Sequence, residues 1–488
     1  MNRAFGVLLV LICFQFGLKA QNSFGALHSN FTPTNSLYIN PSSILDAKVW
    51  LDVNVVGAGA YLNNNLVHLK KKNLFSELRD GVNETSTLTD DDVGYNQNRN
   101  SYHAYNKNFI AAPSVVWSQG NHGLGLSLGA RSYTGVRKVP KFAAQFIENG
   151  VPEYTAQHDI DYSINNLKVA SIHFGEVKLT YAYTFLKRRR NMFMGGISVS
   201  KLFSIAGAAA NIYEFDFNVD NDSITDVALL NADAMYTNKA TFNTKSGVGF
   251  DIGFTFQHML SNVQYYLPNT AKYGCNDIDY KYKIGVSIID IGSIKFDNST
   301  YGFAGYSFSD YSWLNYSDTE VDEENPTGVF SEQETNIDDG RVKRTDKVRL
   351  PTFVSGQFDY NLWQSKVYVN ATVVQGIPPG RKKFGLRHAN SLSITPRYES
   401  YWFDFALPFS LYEYQHPQLG ASLRVGPLTL GTDKLINWIA KSDIYGADIY
   451  VYLKVPIQYH PKCRDRHREN NRRNRGRGRP RAPTNCTI

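Results

Sequence analysis

Apolar and polar residues alternate with a period of two along much of this chain, most regularly between Glu176 and Leu202. Val177, Leu179, Tyr181, Tyr183 and Phe185 alternate with Glu176, Lys178, Thr180, Ala182 and Thr184. That spacing puts apolar side chains on one face of a strand and small or polar ones on the other. The basic stretch Lys187–Asn191 reads as a tight turn, after which Ile197 and Val199 stand opposite Gly196, Ser198 and Ser200. The segment predicts a hairpin with one oily face. In a sandwich that face packs on a second sheet; in a membrane barrel it meets lipid and the polar face lines a lumen.

The same alternation recurs along the chain. It is found near Val49–Tyr61 and Gly123–Arg131, across Val248–Phe256 and Tyr280–Ile288, and again in Val367–Val373, Phe403–Phe409, Leu419–Arg424 and Ala447–Val455. Pro113 weakens the run from Phe109 to Trp117, and Pro140–Glu148 reads as a short amphipathic helix. The long connections near Asn63, Ser132, Asp216 and Phe296 fall on one side, and the short turns at Ser118, Lys187, Leu362 and Arg397 on the other. Outer-membrane barrels segregate their loops in this way, and a sandwich has no reason to. The predicted fold is therefore all-β: a closed antiparallel transmembrane β-barrel of about 14 strands over residues 47–457. Both termini are then periplasmic. Residues 21–46, with Pro41 opening a helical turn, are either a periplasmic lead-in or a plug that enters the barrel.

Composition agrees with this class. Aromatics make up 14% of the chain, mainly 31 Tyr and 29 Phe, as expected where rings gather at membrane interfaces. Past the N-terminus no stretch reaches the roughly 20 apolar residues of a spanning helix. Residues 1–20 read as a signal peptide, with Arg3 ahead of an apolar run and cleavage after Ala20. Lipoprotein processing at Cys13 is the rival reading, disfavoured by Ile12. The formal net charge of +7 belongs to the C-terminus: from Lys462 onward ten basic residues face two acidic ones, leaving the body near neutral. Residues 458–488 thus read as a disordered, arginine-rich periplasmic tail. Cys275, Cys463 and Cys486 remain after processing and are disulfide candidates with one thiol left over.

The sequence holds no catalytic constellation and no metal-ligand spacing, so neither an enzyme nor a cofactor is expected. Arg131, Glu176, Lys178, Asp251, Lys281, Lys283, Asp404, Arg424 and Asp448 fall on the predicted inner face. They form either a salt-bridged lumen or a polar path for a solute, and their mixed signs imply no ion selectivity. Gly125, Gly129, Gly249, Gly253 and Gly285 on that face point to tight curvature or to a closely approaching plug. The acidic run Asp318–Glu324 reads as a solvated loop. Arg477-Gly478-Arg479-Pro480 matches a minor-groove hook, but export removes it from nucleic acid. The tail's partners are instead an envelope protein or anionic polymer, and the barrel's is outer-membrane lipid.

Several segments together resemble an uncharacterised family of Bacteroidota outer-membrane barrels, some fused to an OmpA-like domain. They include Asn35–Ile44, Gly247–Gly253, Tyr282–Ile294, Leu350–Thr352, Ser393–Glu399 and Tyr445–Tyr450. The resemblance implies a barrel without assigned activity, and here the arginine-rich tail replaces the wall-binding domain. Asn40-Pro41 before the first strand is more distantly similar to FadL-type barrels, which include hydrophobic-solute transporters and a type 9 secretion shuttle protein. That likeness implies a FadL-like channel or binder for a small solute. The alternative is a non-transporting scaffold or partner in an envelope or secretion assembly.

Overall fold

The computed structural model describes residues 23–82, 89–149, 155–219, 224–237, 242–270, 278–296, 298–312 and 347–463. The predicted signal peptide, the acidic run Asp318–Glu324, Cys275, Cys486 and most of the arginine-rich tail lie outside them.

One sheet of twenty hydrogen-bonded segments makes fourteen antiparallel passes and closes on itself. The passes are β1 (Leu51–Asn64), β2 (Ser101–Ala111 and Ser114–Gln119), β3 (His122–Pro140), β4 (Asp161–Arg188), β5 (Asn191–Val219), β6 (Asn243–Met259) and β7 (Tyr280–Lys295). They continue as β8 (Phe353–Trp363), β9 (Val367–Gly376), β10 (Ser391–Glu399), β11 (Phe403–Ala406 and Phe409–Tyr412), β12 (His416–Leu419 and Ala421–Val425), β13 (Leu428–Thr432) and β14 (Asp448–Ile457). Closure comes from β14 pairing with β1, Leu51 opposite Ile457 and Val53 opposite Val455. A closed sheet has no free edge, so every strand satisfies its backbone from its two neighbours. Pro113, which lacks an N–H, falls in the break within β2. No helix among the described residues is long and apolar enough to cross a membrane, which says nothing of strands.

The alternation read from the sequence sets the two faces. Leu124 and Leu126 of β3, Val177 to Phe185 of β4, Ile197 and Val199 of β5, and Val248 to Phe254 of β6 point outward and are exposed. Their neighbours Ser127, Lys178, Thr180, Ser198, Ser200 and Asp251 are buried inside. Connections segregate as expected. The β2–β3, β4–β5, β8–β9, β10–β11 and β12–β13 turns share one end, here the turn end, although the β6–β7 connection there is long. Long segments crowd the other, the loop end. Near the turn end, outward rings form a belt across five strands. Phe185 lies 6.4 Å from Phe193, Phe193 4.9 Å from Phe256, Phe256 6.1 Å from Tyr282, and Tyr282 6.4 Å from Phe358.

Two departures stand out. β4 and β5 run 28 and 29 residues, well past the predicted hairpin. Beyond the belt their extension pairs with Ile224–Thr237, which pairs with Asn298–Ser312. The helix Lys141–Asn149 lies where expected, and its Phe142 and Phe146 pack on Tyr162 of that extension. The second departure is inside. The loop-end half of the lumen is not polar but holds an apolar cluster that includes Tyr133, Ile172, Phe174, Leu202 and Phe296. The 377–390 connection folds inward to add Phe384, Leu386 and Ala389 to it, with Arg349 N–H donating to the Phe384 carbonyl at 2.9 Å.

Candidate functional site

Residues 23–50 run inside the barrel, from Phe24, whose N–H donates to Asp433 near the loop end, down to the turn end, and none of them is exposed. Three short helical turns, Phe24–Leu27, Pro33–Ser36 and Pro41–Asp46, keep the segment compact. The third is capped by Asn40, whose Oδ1 accepts from the Ser42 N–H at 3.1 Å, and Pro41 needs no donor at that position. The segment lies against inward-facing residues of the wall and is called the plug below. Among the described residues, the backbone-to-backbone hydrogen bonds of residues 23–48 stay within the segment. The plug is docked, not woven into the sheet.

Docking is by side chains. Asn40 Nδ2 donates to the Phe254 carbonyl at 3.3 Å and to Gln357 Oε1 at 3.0 Å, while the Ser42 and Thr255 hydroxyls meet at 2.7 Å. The wall gives way where the plug presses closest. A Cβ at Gly253 would collide with Asn40 and come within 2.9 Å of Pro41 Cδ; one at Gly196 would lie 2.6 Å from the Pro41 carbonyl carbon. Gly253 and Gly196 are register partners on β6 and β5, so two strands present bare backbone to the same turn. This is the close approach that the inner glycines suggested.

Charged residues of the wall form separate groups. Arg131 makes a bidentate pair with Asp290 at 2.8 and 2.9 Å and also bonds Glu176. Lys178 pairs with Asp251 at 2.7 Å and Glu176 at 3.4 Å. Arg397, bidentate to Asp359 and 2.6 Å from Glu399, anchors a second group, which the plug completes: Asp46 bonds Lys283, and Asn30 Nδ2 donates to Glu399 at 2.8 Å. Arg424 grips Asp404 with two nitrogens, and Asp404 accepts from the plug's Ser29 at 2.7 Å. Lys454 reaches Asn35 at 2.6 Å, and Thr34 donates to Asp52 at 2.6 Å. Buried charges persist only when paired and hydrogen-bonded, and here the plug supplies part of the pairing. His28 of the plug accepts or donates at 3.0 Å with Thr372. Burial first, and then the Arg397 guanidinium, push its imidazole down to about 3, so it stays neutral.

Eight of the nine predicted inner-face residues are thus inside: Arg131, Glu176, Lys178, Asp251, Lys283, Asp404, Arg424 and Asp448. Asp448 stands apart near the loop end, bonded to the Asp433 N–H. Lys281 does not join them. A register shift between His258 and Met259 inserts a residue there, and its ammonium sits 4.6 Å from the Tyr360 ring and 3.5 Å from the Asn361 carbonyl. The same shift turns Tyr280 inward, where its hydroxyl meets Asn30 and Asp359. A bulge re-aims side chains in just this way. Sequence reading also missed Asp290, Asp359, Arg397 and Glu399. The last three keep the inner parity of their strands and were legible in principle. Asp290 was not: it adopts φ 59° at a second register shift, a left-handed geometry that Asp tolerates.

Cys463 is buried and disulfide-bonded, its partner outside the described residues. Among the described residues no group of three His, Cys, Asp or Glu side chains is disposed to hold a metal ion. A cavity of about 330 Å³ lies at the turn end beside the plug's exit, and one of about 30 Å³ lies deeper along the segment.

The family described as "Family of unknown function (DUF5723)" matches residues 41–433. No curated protein matches the chain. Among solved structures, a Pseudomonas aeruginosa FadL homologue is 9% identical at a TM-score of 0.39, over 90% of this chain and 97% of that one. The P. putida toluene transporter TodX is 7% identical at 0.36, over 87% and 95%. The translocator domain of the autotransporter NalP from Neisseria meningitidis is 6% identical at 0.29, over 83% and 88%. At these scores the likenesses carry no functional argument.

Proposed function

The chain belongs to DUF5723, a family of unknown function, and from that premise we propose that it is a plugged outer-membrane channel passing a small, predominantly apolar solute. The exposed apolar wall and its ring belt favour burial in a bilayer, since a water-facing surface of this kind would be a severe liability. The belt near the turn end fits a membrane interface, and short turns at that end make it the periplasmic one. On this reading β14 ends on the periplasmic side, and the C-terminal tail follows there.

One observation carries the channel reading. Among the described residues, every hydrogen bond between residues 23–48 and the wall uses a side chain on at least one partner and none joins two backbones, so the segment can shift without breaking a strand pairing. A purely structural filler gains nothing from that separability. The test is uptake. Cells displaying the chain in a lipopolysaccharide-bearing outer membrane should take up naphthalene faster than cells without it. A Ser42→Cys/Thr255→Cys disulfide, built where the two hydroxyls now meet, should abolish the gain and reduction should restore it. Uptake indifferent to the chain would contradict the channel.

A second reading, a non-transporting scaffold in an envelope or secretion assembly, is favoured by the same filled lumen and its ion pairs. On that reading the arginine-rich tail would contact an acidic envelope partner or anionic polymer, and uptake would not change.

A further inference from the structure

The turn-end cavity has the size of a ligand pocket. Its volume of about 330 Å³ falls in the range of small-molecule sites. Leu45, Met192, Met259, Pro268 and Ile278 make its apolar side, with Tyr266 beside them. Methionine sulfur and aromatic ring together favour an aromatic guest. The rest of the lining is polar. Lys48 and Asp279 pair there at 2.8 Å, and both meet the Tyr368 hydroxyl at 2.5 Å, so these charges are already matched. Gln257, Ser261 and Ser365 complete that edge and offer neutral hydrogen-bonding groups.

We propose that this cavity binds a small aromatic molecule bearing a neutral hydroxyl, its ring against the methionines and its hydroxyl toward Gln257 and the two serines. A charged guest would have to break the Lys48–Asp279 pair and is disfavoured. The pocket is shared between two bodies: Leu45 to Lys48 belong to the plug, and the other lining residues to the wall and its turns. A ligand there touches both, so its affinity depends on where the plug sits. The inference deepens the channel reading and rests on it only for the site's place on a transport route.

The probe is 4-bromophenol, added to the full chain in detergent. A crystal soak should show the bromine anomalous peak between Met192, Met259 and Tyr266. In solution, Ala47→Trp, which fills the pocket from the plug side, should weaken binding at least tenfold. Leu260→Trp, at the exposed rim and so harmless to folding, should weaken it as well. A bromine peak elsewhere, or unchanged affinity in either folded variant, overturns the site. Naphthalene uptake without bromophenol binding would overturn the site and spare the channel. Binding without uptake would do the reverse.

Discussion

Gly253 is where a single atom decides the state of the lumen. A side chain there occupies the space of Asn40, so Gly253→Val should expel the turn of residues 40–42 while leaving the β5–β6 ladder intact. Limited proteolysis should then cut within residues 23–50 of a barrel that still shows heat-modifiable migration; a protected segment would refute the close approach. Arg131 tests the charged wall. Arg131→Ala strands Asp290 and Glu176, and losing one partner of a buried pair costs about 3–5 kcal/mol. Urea unfolding from vesicles should register that loss, and a change below about 1 kcal/mol would place the pair in water. His28 adds a pH dependence. Its imidazole is held near 3 when folded and near 6.5 when unfolded, so the unfolded chain binds the extra proton. Stability is therefore present above about pH 6.5 and declines as pH falls toward 3. His28→Gln should flatten that part of the profile, and an unchanged slope would assign the decline to carboxylates alone.

Along single strands, the pattern changes sign where the surroundings change. The inner face of β4 runs Ala170, Ile172, Phe174, then Glu176, Lys178, Thr180; its outer face is uninterruptedly apolar from Val177 to Phe185, and beyond Gly175 it mixes Val169 with Ser171 and His173. Nine residues from Val177 to Phe185 match the reach of a strand across hydrocarbon. Gly175 then marks the strand's exit, beyond which the core must lie inside and the polar residues outside. Period two reveals a strand only while one face stays oily. The half of β4 past Gly175 therefore carries no strand signal, although Val177–Phe185 is plain. The bulges at Tyr280–Lys281 and Ile289–Asp290 were hidden for a related reason: an inserted residue keeps the composition of a strand and breaks only its phase. The inward 377–390 connection left no periodic signal at all. The exit point can be measured. Leu179→Arg should cost about 2–4 kcal/mol of folding stability in bilayers, and Val169→Arg, past the exit, no more than about 1 kcal/mol. Equal costs would remove the boundary.

As a whole, the molecule is a wall, a plug and a loop-end apolar cluster to which the 377–390 connection adds. The wall's class, its count of passes and the segregation of its loops followed from alternation and connection lengths. The inner charges were legible as a set but not as separate groups, because which strands face each other across a lumen is a property of closure. The plug was legible only as a possibility: Asn40-Pro41 signals a turn, and nothing in the turn says what surrounds it. All of this stands on lipid covering the outer face. Spin labels placed in turn from residue 177 to 185 and 193 to 200, in protein folded into vesicles, test that directly. Oxygen accessibility should peak at 177, 179, 181, 183 and 185 and again at 193, 195, 197 and 199, with the even positions between them closed to oxygen and to water-borne nickel chelate alike. Collisions with the chelate at the odd positions, or no alternation, would contradict it.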